Sequence, residues 1–367
     1  MNKMVVANLV HRPLRSVISI VAVAVEVTLI LLMVGLALGL LDDAKERQKG
    51  IGADVMVQPP GSSFLSGITG APVSTKVAKV LHKVPHVEVV SPVITQLSTA
   101  GTVEVIYGID LDSFQSLGGS FRYLAGGPFT GPDSIIVDDF FAQSKHVKVG
   151  DRIEVLNHEF TVTGIVEHGK GARKFLPIGA LQDLVGAQGK ASIFYVKLDD
   201  PNNADAVAAQ IKQIPGMEKY VIRSLREYLS LMTMGHIPGL SIFIDVVIGV
   251  AVIIGFIVIF QAMYTAVMER TREIGILKSL GASKFYIVNV VLRETVLLAI
   301  FGIILGILVS YTARAAIVEH FPTLRMAVPR HWILRATLIA IVGAVLGAIY
   351  PAFKAAQKDP IDALAYE

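Results

Sequence analysis

Gly164-Ile-Val-Glu-His-Gly-Lys-Gly171 has the spacing of a phosphate-cradling loop, G-x-x-x-x-G-K, but its last position is glycine. A nucleotide loop needs a Ser or Thr hydroxyl there for Mg²⁺ and a helix N-terminus behind it for the phosphates. Arg173, Lys174 and Pro177 follow instead, without a helical pattern, so the segment reads as a hairpin or a basic surface loop. On that reading His168, Lys170, Arg173 and Lys174 offer positive charge to an anionic lipid or a partner protein. No catalytic arrangement stands beside it: the chain has no H-E-x-x-H, no G-x-S-x-G and no cysteine. His82, His86, His146 and His158 are scattered and read as surface or structural residues. The expectation is a protein that is not an enzyme and holds no cofactor or metal of its own.

Three other polar residues stand out by where they fall. Glu26, Asp245 and Gln261 interrupt long apolar runs. The 367-residue chain is 53% hydrophobic and 17% charged, with a mean hydropathy of +0.60, against about 25% charged in ordinary soluble domains. The apolar excess gathers into four runs, 17–41, 239–268, 288–312 and 333–353, each about long enough to cross a ~30 Å hydrocarbon core as a helix. The first is too long for a signal-peptide core, and Asp42-Asp43-Ala44 is a poor cleavage site, so it reads as a retained span. A carboxylate in hydrocarbon faces a bundle interior, a cavity or a partner. Glu26 lies mid-span, where a structural hydrogen bond or a gating or substrate contact are the readings. Asp245 lies nearer the interface. Gly35/Gly39, Gly302/Gly306 and Gly343/Gly347 carry the four-residue spacing that lets helix backbones approach. Packing within the bundle is the preferred reading, with a dimer seam as the alternative.

Residues 42–238 have the composition of a soluble domain, with 19 Lys/Arg against 21 Asp/Glu and a net charge of −2. The remainder carries 14 against 9, a net of +5. The positive balance thus belongs to the membrane part and speaks for topology rather than nucleic-acid binding. Lys3, Arg12, Arg15, Arg270, Arg272, Lys278, Lys284, Arg293, Lys354 and Lys358 fall on one side, which the positive-inside rule makes cytoplasmic. Arg314, Arg325, Arg330 and Arg335, in or beside the short loop at 313–332, weaken the bias without reversing it. Both termini are then inside and residues 42–238 outside. Strand patterns at 54–57, 87–95, 102–109, 134–137, 152–156, 159–166 and 192–198, with helical patterns at 75–83, 178–185 and 203–213, make that domain mixed α+β. Residues 61–72 read as a loop. Helical extensions at 42–49 and 223–234 would join the domain to the first two spans as stalks.

Between the second and third spans lies a charged segment, Met268-Glu-Arg-Thr-Arg-Glu-Ile-Gly-Ile-Leu-Lys-Ser-Leu-Gly-Ala-Ser283. Glu269/Arg272 and Arg270/Glu273 are i,i+3 pairs that support a helix. Ile274, Leu277 and Leu280 or Gly281 form a narrow apolar stripe. Gly281 suits a helix stop and Ser283 the start of the next helix. By composition the segment is equally an interfacial helix lying on lipid and a rigid surface offered to a partner.

Glu269–Ser283 closely resembles the signature of the FtsX-like permease family, which includes the MacB-type and lipoprotein-releasing ABC transporters. Asn8-Leu-Val-His-Arg-Pro-Leu-Arg15 is similar to that family's amphipathic entry, here 1–16. Pro351-Ala-Phe-Lys-Ala-Ala-Gln-Lys-Asp-Pro-Ile-Asp-Ala-Leu364 is similar to its closing motif, in a tail at 354–367. The resemblance implies a permease that works as a dimer with two copies of a separate ATPase, which binds the ATP and Mg²⁺. It implies a coupling helix within 269–287, with Glu269, Arg270, Arg272, Glu273, Ile274, Leu277, Lys278 and Gly281 as its contact residues. It further implies a MacB-like periplasmic domain at 42–238 moved through the stalks, an adaptor partner in the periplasm, contact with membrane lipids, and a bacterial inner-membrane location. The expected function is export or extraction of a lipid, lipoprotein, peptide or drug. The alternative is a signalling scaffold that activates a cell-wall hydrolase or senses a peptide.

Overall fold

The computed structural model describes residues 13–62, 70–98 and 104–358. The expected entry helix at 1–16, the loop at 61–72 and the closing motif fall partly or wholly outside them. In chain order the elements are α1 (Pro13–Ile51), β1 (Val55–Gln58), β2 (Val73–Ser74), α2 (Val77–Leu81), β3 (Val87–Ser98), β4 (Glu104–Ile109), α3 (Leu111–Gly118), β5 (Tyr123–Gly126), β6 (Ser134–Asp138) and α4 (Asp139–Lys145). Then follow β7 (Arg152–Val155), β8 (His158–Val166), β9 (Lys174–Pro177), α5 (Ile178–Leu184), β10 (Lys190–Ala191), β11 (Ile193–Leu198), α6 (Ala204–Lys212), β12 (Val221–Ser224) and α7 (Leu225–Leu231). The last helices are α8 (Pro238–Glu269), α9 (Thr271–Ser279), α10 (Lys284–His320) and α11 (Arg330–Gln357).

These residues form two units. One holds the chain up to Leu38, Gly239–Glu319 and the chain from Met326; the other holds Gly39–Pro238 and His320–Arg325. In the first, α1, α8, α10 and α11 are long and apolar enough to cross a membrane. The glycine pairs pack them. A Cβ at Gly302 would sit 2.6 Å from Val23 Cβ, and one at Gly306 2.7 Å from the Ala24 carbonyl, so α10 lies backbone-close to α1. Gly347 of α11 meets the Phe256 carbonyl of α8 in the same way, its Cβ falling 2.9 Å away. Thr28 Oγ1 donates to the Gly306 carbonyl at 3.1 Å. Small residues at contacts are how helices associate where no hydrophobic effect drives them together.

The second unit is the expected mixed domain. Its ten-stranded sheet runs β12-β1-β11-β3-β4-β9-β6-β8-β5, with β7 added to β8. The pairs β4·β9 and β6·β8 are parallel and the rest antiparallel. β6 is buried along its whole length, as Ser-Ile-Ile-Val-Asp between two neighbours demands. Asp110 and Asp138 cap α3 and α4, accepting from Ser113 N at 3.2 Å and Phe141 N at 2.7 Å. Neither helix is foreseen in the hydropathy pattern.

Two expectations change. The sequence pattern at 223–234 predicts one helix entering the second span directly. The helix stops at Leu231, a 3₁₀ turn occupies Met234–His236, and Ile237 is extended at φ −109° and ψ 90°. Pro238 excludes the helical conformation for the residue before it, and Thr233 and Gly235 add little helix propensity. The turn after β7 is Leu156-Asn157, both at positive φ (54° and 61°), so Leu156 leaves the strand expected at 152–156. That pair is the two-residue loop whose twist suits a hairpin.

Candidate functional site

The segment between the second and third membrane-length helices is an elbow, built from α8, α9 and α10 within the first unit. α8 ends at Glu269, and Arg270 (φ −106°, ψ 18°) breaks the helix before α9 starts. The Thr271 hydroxyl closes the bend by donating to the Met268 carbonyl at 2.8 Å. At the far end Gly281 adopts φ +94°, its N–H reaches Lys278 O at 3.0 Å, and Ala282 N–H reaches Leu277 O at 3.0 Å. These two bonds are the Schellman pair, which satisfies the last carbonyls of α9 and needs glycine at that position. Ser283 Oγ then accepts from Tyr286 N at 3.2 Å and caps α10. Both capping residues act as their types predict.

The inner face of α9 is fastened at three levels. Ile274 is buried against Val267, Ile287, Ala355 and Ala356, with Leu277 packed beside it. Lys278 Nζ donates to Ala356 O at 3.0 Å and to Lys358 O, placing a cation on the free carbonyls at the end of α11. Glu294 of α10, only 4% exposed, accepts from Arg270 Nη1 at 3.1 Å and from Arg15 Nη2 at 3.2 Å. Arg15 also reaches Glu269 at 3.5 Å. Glu269 and Arg270 thus each form an ion pair with another helix.

The outer face is of different composition. Arg272, Glu273 and Ser279 are exposed, together with Ile276 at 43%, Leu280 at 80% and Phe285 at 78%. Leu280 sits at the C-cap, so the turn at Gly281 swings it out of the apolar stripe in which the sequence pattern places it. Of the eight predicted contact residues, Arg270, Ile274, Leu277 and Lys278 brace the elbow, whereas Glu269, Arg272, Glu273 and Gly281 are exposed. Ile276, Phe285, Arg15 and Glu294 escape the sequence reading. An acid in the early turns of a membrane-length helix was the available signal for Glu294, and its remote arginine partners were not readable. Large exposed apolar side chains on the same elbow as exposed Arg272, Glu273 and Lys284 suit docking of a protein partner.

The other predicted residues do not converge. Glu26 is 4% exposed and lies against Gly255 of α8 and near Gly343 of α11, and its Oε1 has no hydrogen-bond partner among the described residues. Asp245 and Gln261 are exposed on α8. In the second unit, β8 and β9 flank β6 without pairing, so 167–173 is a crossover and not a hairpin. Its basic side chains, expected to face outward, are engaged within the unit. Lys170 Nζ donates to Gly118 O at 3.2 Å and to Gly119 O, and burial lowers its pKa. His168 Nδ1 lies 3.0 Å from Asp139 Oδ1, with the ring stacked on Phe140 at 3.9 Å. Lys174 pairs with Glu104 at 2.6 Å. Arg173 is 8% exposed and bridges Asp138 at 3.0 Å and Asp43 at 3.1 Å. Burial pushes the Asp138 carboxyl up to about 6, against the opposing pull of Arg173 and the Phe141 N–H.

Four membrane-length helices, a mixed-sheet domain between the first and second and a braced elbow between the second and third define a multipass membrane protein with an extracytoplasmic domain. The model of the MacB-like periplasmic core domain matches residues 16–214, and that of the FtsX-like permease C-terminal matches residues 246–360. The chain belongs to this MacB/FtsX-type family of ABC transporter permeases. It is 28% identical over 225 residues to the uncharacterized ABC transporter permease YknZ of Bacillus subtilis (strain 168), covering 59% of this chain and 55% of that one. It is 25% identical over 391 residues to the macrolide export ATP-binding/permease protein MacB of Shewanella sp. (strain W3-18-1), covering 97% and 59%. The chain therefore spans less than two thirds of the length of these relatives. Among solved structures, the periplasmic region of MacB from Actinobacillus actinomycetemcomitans aligns with 50% of this chain and 94% of that one, at 17% identity and a TM-score of 0.38.

Proposed function

We propose that this chain couples ATP hydrolysis by a separate ATPase subunit to movement of its extracytoplasmic domain, for export or extraction of a lipid, lipoprotein, peptide or drug. The observation that carries the reading is the outer side of the elbow, where Ile276 of α9, Leu280 at its C-cap and Phe285 of α10 stand exposed, while the inner side is fastened by buried ion pairs and a capping lysine. A docking element must be stiff if it is to pass on displacement. The absence of a complete G-x-x-x-x-G-K-[ST] motif from the 367 residues supports an ATP site elsewhere. The family's relatives named for macrolide export support outward movement of substrate. The permease acts as a dimer with two ATPases, in a bacterial inner membrane, with both termini and the elbow cytoplasmic, in line with Arg270, Arg272, Lys278, Lys284 and Arg293 around the elbow. A periplasmic adaptor completes the assembly. The test is ATP hydrolysis by the complex of the full chain with its nucleotide-binding subunit in nanodiscs. The double substitution Leu280→Asp, Phe285→Asp should remove the co-purifying activity, and wild-type activity in that variant would overturn the reading.

A further inference from the structure

The second unit is connected to membrane-length helices through the end of α1, through the segment after α7 and through 320–325 between α10 and α11, and the first two connections are built differently. α1 has no break up to Ile51, and its last turns are gripped at several levels. Gln48 Nε2 donates to Tyr107 Oη at 3.4 Å, and Tyr195 Oη donates to Gln48 Oε1 at 3.3 Å. The two tyrosine hydroxyls lie 3.1 Å apart, on β4 and β11 in the middle of the sheet. Tyr107 and Tyr195 are 4% and 1% exposed, and burial raises the Tyr195 pKa well above its ordinary value. One residue earlier, the Arg47 carbonyl accepts from Gly171 N at 2.8 Å, and a further turn back Asp43 takes the buried Arg173 guanidinium. Ile51 is 1% exposed in the core that holds both tyrosines. Two residues beyond it, Asp54 N already bonds to Val196 O in the sheet.

The other connection has little of this. After Leu231 the hydrogen bonds described for residues 232–237 are local: Met232 N to Leu229 O, Thr233 N to Leu231 O, His236 N to Thr233 O, and Thr233 Oγ1 with His236 Nδ1. Only Met232 is buried there. Few buried contacts and short-range bonds mark a segment of low local stability.

We propose that Gln48, through Tyr107 and Tyr195, is the positioning residue that locks α1 to the sheet. The end of α1 is therefore the driving arm of the extracytoplasmic domain, and residues 232–237 are its compliant joint. A glutamine suits the lock because its amide donates to one hydroxyl and accepts from the other, so neither buried tyrosine is left unsatisfied. The inference rests on the proposed ATP-driven function for its role, but the lock itself can be read without any ATPase.

The first arm of the test is hydrogen exchange on the full chain alone. Gln48→Met keeps the volume and removes both bonds. It should speed exchange at 46–51 and at 104–109 about tenfold, and leave 232–237 unchanged. Gln48→Glu, which keeps an acceptor for both hydroxyls, should restore part of the protection. Unchanged exchange in Gln48→Met would overturn the lock. The second arm uses the full complex with ATP and spin labels on the extracytoplasmic domains of the two protomers. A Gly-Gly insertion after Lys45 should abolish the ATP-dependent distance change while hydrolysis continues. The same insertion after Met234 should preserve most of it. Equal sensitivity at both places would overturn the arm-and-joint assignment. A wild-type complex that shows no ATPase would instead sink the functional proposal and leave the lock standing on the first arm.

Discussion

Two charged segments of this chain invite the same reading and turn out opposite. Both 168–174 and 269–284 are rich in basic residues and contain two glycines each. In the first, every basic side chain is engaged within its unit: Lys170 on the carbonyls after α3, His168 on Asp139, Arg173 between Asp43 and Asp138, Lys174 on Glu104. In the second, Arg270 and Lys278 brace the elbow, while Arg272, Glu273 and Lys284 are exposed, as are Leu280 and Phe285. Charge density therefore does not separate a docking face from an internal ion-pair network. The separating feature is a large apolar side chain left exposed on a backbone that is otherwise fastened.

The comparison breaks first if the bracing ions are dispensable. Glu294→Ala leaves Arg15 and Arg270 without their buried carboxylate, and loss of one partner from such a network costs about 3–5 kcal/mol. Thermal unfolding of the full chain in detergent, followed by fluorescence of its one tryptophan, Trp332, should show a correspondingly large fall. Arg270→Glu should behave alike and lose the fold of the elbow before it loses any partner. Arg173→Met is the matching break in the other segment. It takes the arginine from buried Asp138, while Asp43 keeps Arg47 and Arg325, and should cost about 3 kcal/mol in the extracytoplasmic domain, read by protease resistance of that domain in the full chain.

On the outer face the expectation inverts. Leu280→Asp should change stability by no more than about 0.5 kcal/mol yet weaken ATPase association by about 2 kcal/mol, roughly thirtyfold, as a central apolar anchor would. Titration of the subunit onto the purified chain measures this. Arg272→Glu, a charge at the edge of the patch, should alter association less than about fivefold and mainly at low salt.

The Asp138 site sharpens the contrast through pH. Its carboxyl titrates near 6 when folded, above the ordinary 3.8. The folded state thus holds the proton more tightly than the unfolded chain. Stability from this group is complete below about pH 4 and is lost as pH rises through 6, by at most about 1.4 kcal/mol per pH unit. Melting of the extracytoplasmic domain between pH 4.5 and 7.5 should lose that slope in Asp138→Asn.

Local chemistry was legible in the sequence, and long-range pairing was not. Four spans follow from run length, and Gly281 and Ser283 act as their types predict because capping involves only near neighbours. Leu280 was misplaced because a single residue at the turn decides whether a side chain faces in or out. Glu294 went unremarked because its partner Arg15 lies 279 residues away. The basic crossover looked free because Asp43, which holds Arg173, is 130 residues distant. The interrupted helix before Pro238 was readable from the proline, and a continuous apolar pattern across it concealed the break.

The chain has no cysteine, so a single introduced thiol reports without background. The central claim is that the outer face of the elbow seats the ATPase. A photoreactive maleimide placed at Leu280→Cys in the assembled complex should crosslink to the nucleotide-binding subunit, while the same label at Val149→Cys in the extracytoplasmic domain should not. Crosslinking at Leu280→Cys to lipid alone, with the ATPase still bound and active, would contradict it.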